Sequence, residues 1–492
     1  MRAPTILLVI SALALAGCTD PVPAPATTTL PPTTTSAPTT TTTTLADCSS
    51  IDHPAPSTID GDTAAELSMA VSRIRYECAN EAVVTADTAT AISAGTALGI
   101  AADQPVLVNG AGVVEELDRL GVLAVRWVGS APAPDLGVPV TVVSPAAVSE
   151  PLPPPIERAD VTWVLGSSSE AASLVAATAA ARGEAFVDVS GIADLRFTDS
   201  ERILALQPGS VVAVGLDDDQ LWQLAAIRGG VELAGGGYTF DGKRLVAFYG
   251  NPTTSALGVL GEQGPAATLE RIEPLLEEYA SDGLRTVPVF EIIATVASAR
   301  AGADDDYSDE AGVETLRPWI DFAGENGVYV VLDLQPGRAH FLDQARRYEE
   351  FLRLPHVGLA LDPEWRLGPD QVHLRQIGTV DAAEINEVSR WLAQIVREEN
   401  LPQKYFMIHQ FRFSMITNRE QIETPLELFT VIHMDGQGPL PSKFETYRAI
   451  TAGQDHVGWA WGWKNFYDED SPMATPADVL GVEPIVVYVS YQ

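Results

Sequence analysis

The stretch Val328-Tyr329-Val330-Val331-Leu332-Asp333-Leu334 is an apolar run of strand length with a carboxylate near its end. Seven further strand candidates accompany it, at residues 245–249, 286–293, 357–361, 404–409, 428–433, 457–461 and 484–489. Helical stretches separate them, among them 268–279, 339–352, 382–399 and 442–451. Eight strands with intervening helices in roughly 245 residues match a (β/α)8 barrel in number and in length. The last strand runs almost to Gln492, so a helix closing the barrel after it is missing or supplied from upstream.

Sites in such barrels lie at the C-terminal ends of the strands. Those ends carry Tyr249 on the first strand, Glu291 on the second, and Asp333 with Gln335 on the third. Asp362 and Glu364 follow the fourth, His409 and Gln410 end the fifth, and His433 with Asp435 end the sixth. Trp461 and Trp463 belong to the seventh. Six of the seven His and six of the nine Trp lie beyond position 300, which concentrates any chemistry in this half. Carboxylates, imidazoles and indoles converging on one rim describe a carbohydrate site. Indole faces stack on sugar rings, and a carboxyl pair handles proton transfer and oxocarbenium charge. The expected substrate-binding set is therefore Tyr249, Glu291, His409, Gln410, His433, Trp461 and Trp463. Glu364, Asp362, Asp435 and Asp333 are the expected catalytic carboxyls. His409, His433 and Asp435 also offer a metal-ligand set, but no metal and no cofactor are expected. The run Asp304-Asp305-Asp306 lacks the Gly and closing Glu of a calcium loop and reads as a solvated acidic loop. The chain contains no GxxxxGK[ST], HExxH or GxSxG.

The segment Gly358-Leu359-Ala360-Leu361-Asp362-Pro363-Glu364 resembles the Asp-x-Glu strand end of chitinase-type and some lysozyme-type barrel glycosidases. That resemblance implies Glu364 as general acid, with Asp362 orienting the substrate or tuning the acid. Alternation along a strand would place the two on one face. The other reading has Asp362 capping the following loop and Glu364 in a surface salt bridge.

The first half alternates short Val-rich runs with Ala-rich helical stretches. Strands are expected at 82–85, 105–108, 123–128, 161–165, 184–189 and 210–215. Helices are expected at 64–76, 89–100, 112–120, 170–181 and 221–227. This is the pattern of an α/β sandwich with a mostly parallel sheet, built from two degenerate repeats. Residues 151–155 read as the linker between the passes. The first pass, through Ala91-Ile92-Ser93-Ala94, Gln104-Pro105-Val106-Leu107-Val108, Val114 to Val122 and Val128-Gly129, resembles the cell-wall-binding repeat of Gram-positive surface proteins. The resemblance implies attachment to anionic wall polymers; a purely structural spacer is the alternative.

At the start, Met1-Arg2 and the apolar run 6–16 lead into Leu15-Ala16-Gly17-Cys18. The run is shorter than the roughly 20 residues that span a bilayer and reads as a signal peptide. Its end resembles the lipobox of bacterial lipoproteins, which implies cleavage before Cys18 and a diacylglycerol on its sulfur, anchoring the chain to the bilayer. Residues 20–45 are almost all Thr, Pro, Ala and Ser. At about 3.1 Å per residue such a stalk reaches about 80 Å. Cys48 and Cys78 remain as a pair, and in an oxidising compartment they are expected to bridge.

The expected organisation is a leader at 1–17, a lipidated stalk at 18–45, an α/β domain at 46–240 and a barrel at 241–492. Thirty Lys plus Arg against 66 Asp plus Glu give a net charge of −36, which argues against nucleic acid as a partner. The expected partners are a cell-wall polysaccharide or other glycan and the lipid bilayer, with the chain acting as a monomer in the cell envelope. Two functions fit: hydrolysis of a polysaccharide, or glycan binding without catalysis.

Overall fold

The computed structural model describes residues 48–492 apart from 52–54, 56, 131, 149–157, 167–174, 177, 180–181, 199–208 and 453–457. The leader, Cys18, the stalk, the linker at 151–155 and much of the helix expected at 170–181 lie outside the described residues. Residues 47–492 form one compact unit. Among the described residues no helix is long and apolar enough to cross a membrane.

Cys48 and Cys78 are joined by a disulfide with their Cα atoms 5.5 Å apart. Beside it, the Ile51 amide donates to the Arg75 carbonyl at 2.7 Å, fastening the chain to the end of helix Ala64–Arg75. That helix begins in a capping box, Thr63 and Glu66 each satisfying the other's backbone N–H.

The first half holds two four-stranded parallel sheets. One orders Val106–Val108, Glu81–Thr85, Ala124–Val128 and Val140–Val143; the other orders Ser57–Ile59, Ser210–Val214, Arg158–Leu165 and Glu184–Asp188. The two repeats read from the sequence therefore interlock, because the first strand, Ser57–Ile59, joins the sheet of the second repeat. Helix Ala64–Arg75 is shared. Its Met69 packs with Val84 and Leu107 of one sheet, and its Leu67 with Ile59, Trp163 and Val212 of the other.

The second half is a closed barrel of eight parallel strands: β1 Lys243–Gly250, β2 Arg285–Ala297, β3 Tyr329–Leu334, β4 Val357–Leu361, β5 Lys404–His409, β6 Leu428–Met434, β7 Ala460–Asn465 and β8 Val486–Tyr491. Closure runs from Tyr488 opposite Leu245 to Tyr491 opposite Phe248, so no edge is left on the ring. A ninth strand, Ser308–Glu310, adds antiparallel to the end of β2. Six strands coincide closely with the expected ones; β7 sits further along the chain than 457–461, and β8 two residues further along than 484–489.

The strands read as near-continuous apolar runs because both faces are buried. On β2, Phe290, Ile292 and Ala294 face the helices while Val287 and Val289 face the interior. On β3, Val330, Leu332 and Leu334 face outward while Tyr329 and Val331 face inward. Helix Ala382–Glu398 shows how the outer ring is held. Asp381 caps it by accepting from the Ala383 amide at 3.0 Å, and Ile385, Val388, Leu392 and Val396 form one buried stripe.

The N-terminal end of the barrel is plugged by Phe240. Its ring meets Tyr329 and Tyr405 edge-on at centroid distances of 5.2 and 5.0 Å. The plug is anchored because the Phe240 amide donates to Gln403 Oε1 at 3.0 Å and the Gln403 amide to the Tyr238 carbonyl at 2.8 Å.

Candidate active site

At the opposite end, the same inward alternation delivers polar groups. Following Val287 and Val289 comes Glu291; following Tyr329 and Val331 comes Asp333; following Tyr405 and Met407 comes His409. Tyr249, Asp362, His433, Asp435, Lys464 and Ser490 complete the layer, and every one of these is buried. Glu364, only half-buried, stands at its edge.

His409 lies at the centre. Its Nε2 is 3.2 Å from Glu291 Oε1 and 3.7 Å from Asp333 Oδ1, and its Nδ1 is 3.1 Å from Asp435 Oδ2. The Tyr249 hydroxyl donates to Asp333 Oδ2 at 2.9 Å and accepts from Gln335 Nε2 at 3.1 Å. The Tyr488 hydroxyl donates to Glu291 Oε2 at 3.0 Å. His433 Nε2 pairs with Ser490 Oγ at 2.8 Å. Lys464 Nζ sits 3.3 Å from the centre of the Tyr249 ring, a cation–π contact that brings a positive charge to an otherwise acidic layer.

Burial and crowding set the protonation states. Burial works against charge on His409, but Asp333, Asp435 and Glu291 overcome it and hold its pKa well above the usual value, so it is an imidazolium. His433 is pushed the other way, first by burial and then by the His409 charge, and stays neutral. Burial lifts Asp362 well above the ordinary carboxyl range, and neighbouring Glu364 adds to this. Asp333 is raised by burial to about 6. Glu364 is raised to about 7, by burial first and by Asp435 second. A carboxyl with that value, beside Asp435 and its partner His409, is suited to giving and taking protons near neutrality.

Several expected site residues stand elsewhere. Trp461 and Trp463 are buried in the apolar layer between barrel and helices, Trp463 against Phe444 and Tyr447 at 5.6 and 5.7 Å. The inward face of β7 is Ala460, Gly462 and Lys464, so the indoles offer no stacking platform within the carboxyl layer. Gln410 is buried too, and its Oε1 accepts from Arg419 at 2.6 Å. Asp362 and Glu364 are brought together by a turn rather than by strand alternation: β4 stops at Leu361, and Pro363–Trp365 form a 3-10 turn. Asp362 caps that turn, accepting from the Glu364 amide at 3.3 Å. In the acidic loop, Asp306 is buried and accepts from the Ser308 amide at 2.9 Å, while Asp304 and Asp305 are exposed.

Lys464, Tyr488, Ser490 and Gly462 belong to the site without having been expected there. A Cβ on Gly462 would lie 2.2 Å from His433 Nδ1, so the missing side chain makes room for the imidazole. The signal for Lys464 is the Ala460-Trp461-Gly462-Trp463-Lys464 alternation, in which the conspicuous indoles and the lysine take opposite faces. Two groups of side chains in this layer have ligating atoms within 4.8 Å of one another: Glu291, His409 and His433, and Asp362, His409 and Asp435. Compared with known proteins, the chain matches no family model, no curated protein and no solved structure.

Proposed function

We propose that this chain is a lipid-anchored envelope protein whose barrel hydrolyses glycosidic bonds of a cell-wall or related polysaccharide. The observation that carries the proposal is Glu364: half-buried at the barrel rim and raised to about 7, by burial first and by Asp435 second. Glu364 donates its proton to the glycosidic oxygen as the bond to the anomeric carbon breaks. Positive charge developing at that carbon faces Asp435, whose Oδ2 accepts from His409. Water adds to the carbon and its proton is returned to the carboxyl layer, so one bond is exchanged for two hydroxyls. Asp362 keeps its own proton and fixes the Glu364 turn through its cap; Asp333 holds His409. An acidic layer favours an uncharged sugar over a phosphate-bearing substrate.

The lipobox at Cys18 and the stalk support placement at the extracytoplasmic membrane face, and the likeness of residues 91–129 to wall-binding repeats supports contact with wall polymer. Wall binding without catalysis is the second reading. It draws on the full burial of Asp333 and His409 and on the outward-facing indoles. The test offers the full-length chain purified cell wall and a glycan panel, with reducing ends counted. Hydrolysis predicts release that falls by about 10²–10⁴-fold in Glu364→Gln; binding alone predicts co-sedimentation with no release.

A further inference from the structure

We infer that Lys464 is the donor that seats an uncharged sugar in this layer, its ammonium hydrogen-bonding to a ring hydroxyl that in turn donates to a carboxyl of the layer. The chain has four lysines, and all four are buried. Three are satisfied by the protein itself. Lys243 Nζ donates to the Thr239 carbonyl at 2.6 Å, and Lys404 Nζ to the Leu354 and Val357 carbonyls at 2.8 and 2.6 Å. Lys443 Nζ donates to the Lys464 carbonyl at 2.6 Å and to Asp470 Oδ2. Lys464 differs. It is 4 % exposed, yet among the described residues no hydrogen bond or ion pair holds its Nζ. What it touches are the faces of Tyr249 and Phe466, 3.3 and 5.3 Å from the ring centres. Buried polar groups are almost always hydrogen-bonded, and aromatic faces replace only part of the water that an ammonium loses.

The fold puts this ammonium among the reacting groups. Lys464 stands opposite Ser490 of β8, and its side chain reaches past that strand to Tyr249 on β1, whose hydroxyl donates to Asp333. Its charge is felt at Asp333, at Glu364 and at His433. The strand end that carries it is fixed, because its carbonyl is held by Lys443 and Lys443 by Asp470. The groups left open define the ligand. Lys464 offers hydrogens, while Asp435 Oδ1 is a buried acceptor without a partner. An anion would satisfy Lys464 and be repelled by Glu291, Asp333 and Asp435; a cation would be repelled by Lys464. A hydroxyl accepts and donates at once, so an uncharged sugar meets both demands.

This role for Lys464 rests on the layer being a sugar site, not on turnover. The full-length Glu364→Gln chain, with and without Lys464→Met, is titrated in a calorimeter with the trimers of glucose, of N-acetylglucosamine and of galacturonic acid. A neutral trimer is expected to bind, and to bind about 10–100-fold more weakly once the charged donor is gone. In parallel, the wild-type chain is methylated with formaldehyde and cyanoborohydride and its lysines are followed by mass spectrometry. Lys464 is expected to react ahead of Lys243, Lys404 and Lys443, and the neutral trimer to slow it; a lysine with a purely structural role would show neither. Circular dichroism reports whether each variant folds, and should Lys464→Met not fold, the methylation decides. Preference for the galacturonic acid trimer, or binding of neither neutral trimer, overturns the inference. So does unchanged affinity in a folded Lys464→Met chain, or a Lys464 as unreactive as the other three. Neutral-trimer binding through Lys464 without reducing-end release counts against the hydrolase alone; release with affinity unchanged in Lys464→Met counts against the role of Lys464 alone.

Discussion

The two ends of the barrel are built from the same eight strands and the same inward alternation, yet they differ in every physical respect. At the N-terminal end Phe240, Tyr329, Tyr405 and Met407 fill the interior. Two layers further along, the same strands deliver Glu291, Asp333 and His409. Ionisable groups are buried at both ends, but Lys404 at the first is satisfied by the Leu354 and Val357 carbonyls, whereas the second leaves polar atoms of Glu291, Asp333, His409, His433 and Asp435 unpartnered. Burying charge without satisfying it is destabilising, and its concentration at one end of the barrel is what the proposed hydrolase site is built on.

Substitutions at the two ends should therefore separate activity from stability. The largest effect is expected at the rim: Glu364→Gln lowers hydrolysis by about 10²–10⁴-fold, measured as reducing ends released. At the other end, Phe240→Ala removes a fully buried ring and costs about 3–5 kcal/mol in denaturant unfolding, while leaving the pH profile of any hydrolysis in place. Between the two lies Gly462→Ala, which drives a methyl into His433. It costs about 1–3 kcal/mol in the same unfolding assay.

The smallest effect runs opposite to the first. Glu364 is raised in the folded state to about 7 from an ordinary value of 4.5. Folding therefore favours the protonated carboxyl, and stability is lost as pH rises from the lower value through the higher one. Glu364→Gln escapes that loss. Its melting curve should match wild type near about pH 4 and exceed it near about pH 8, by about 1 kcal/mol given its partial exposure. A residue whose removal raises stability while abolishing turnover belongs to the chemical end. A Glu364→Gln chain less stable than wild type at about pH 8 would move Glu364 to the architectural end.

How far the molecule could be read from its sequence follows from the same alternation. The strands were legible because a barrel strand buried on both faces is an apolar run, and Val357–Leu361 and Lys404–His409 fall where expected. The gathering of Glu291, Asp333, His409 and Asp435 at one end of the barrel was legible because they stand at the C-terminal ends of its strands. The errors came from facing. Placing the seventh strand at 457–461 made Trp461 its tip, whereas the strand is Ala460–Asn465 and its inward positions are Gly462 and Lys464. Tyr488 and Ser490 were not legible because the eighth strand lies at Val486–Tyr491 rather than 484–489, which moves its inward-facing end to Ser490. The interlocked sheets of the first half were not legible either, since no local pattern in Ser57–Ile59 says which repeat it will join.

The measurement that bears most directly on the account is reducing-end release from purified cell wall by the full-length chain across the neutral range, wild type beside Glu364→Gln. With Glu364 as the acid, wild-type release declines above about pH 7, as its proton is lost, and collapses in the variant. Equal release by both chains, or none from a folded wild type across the whole glycan panel, would contradict it.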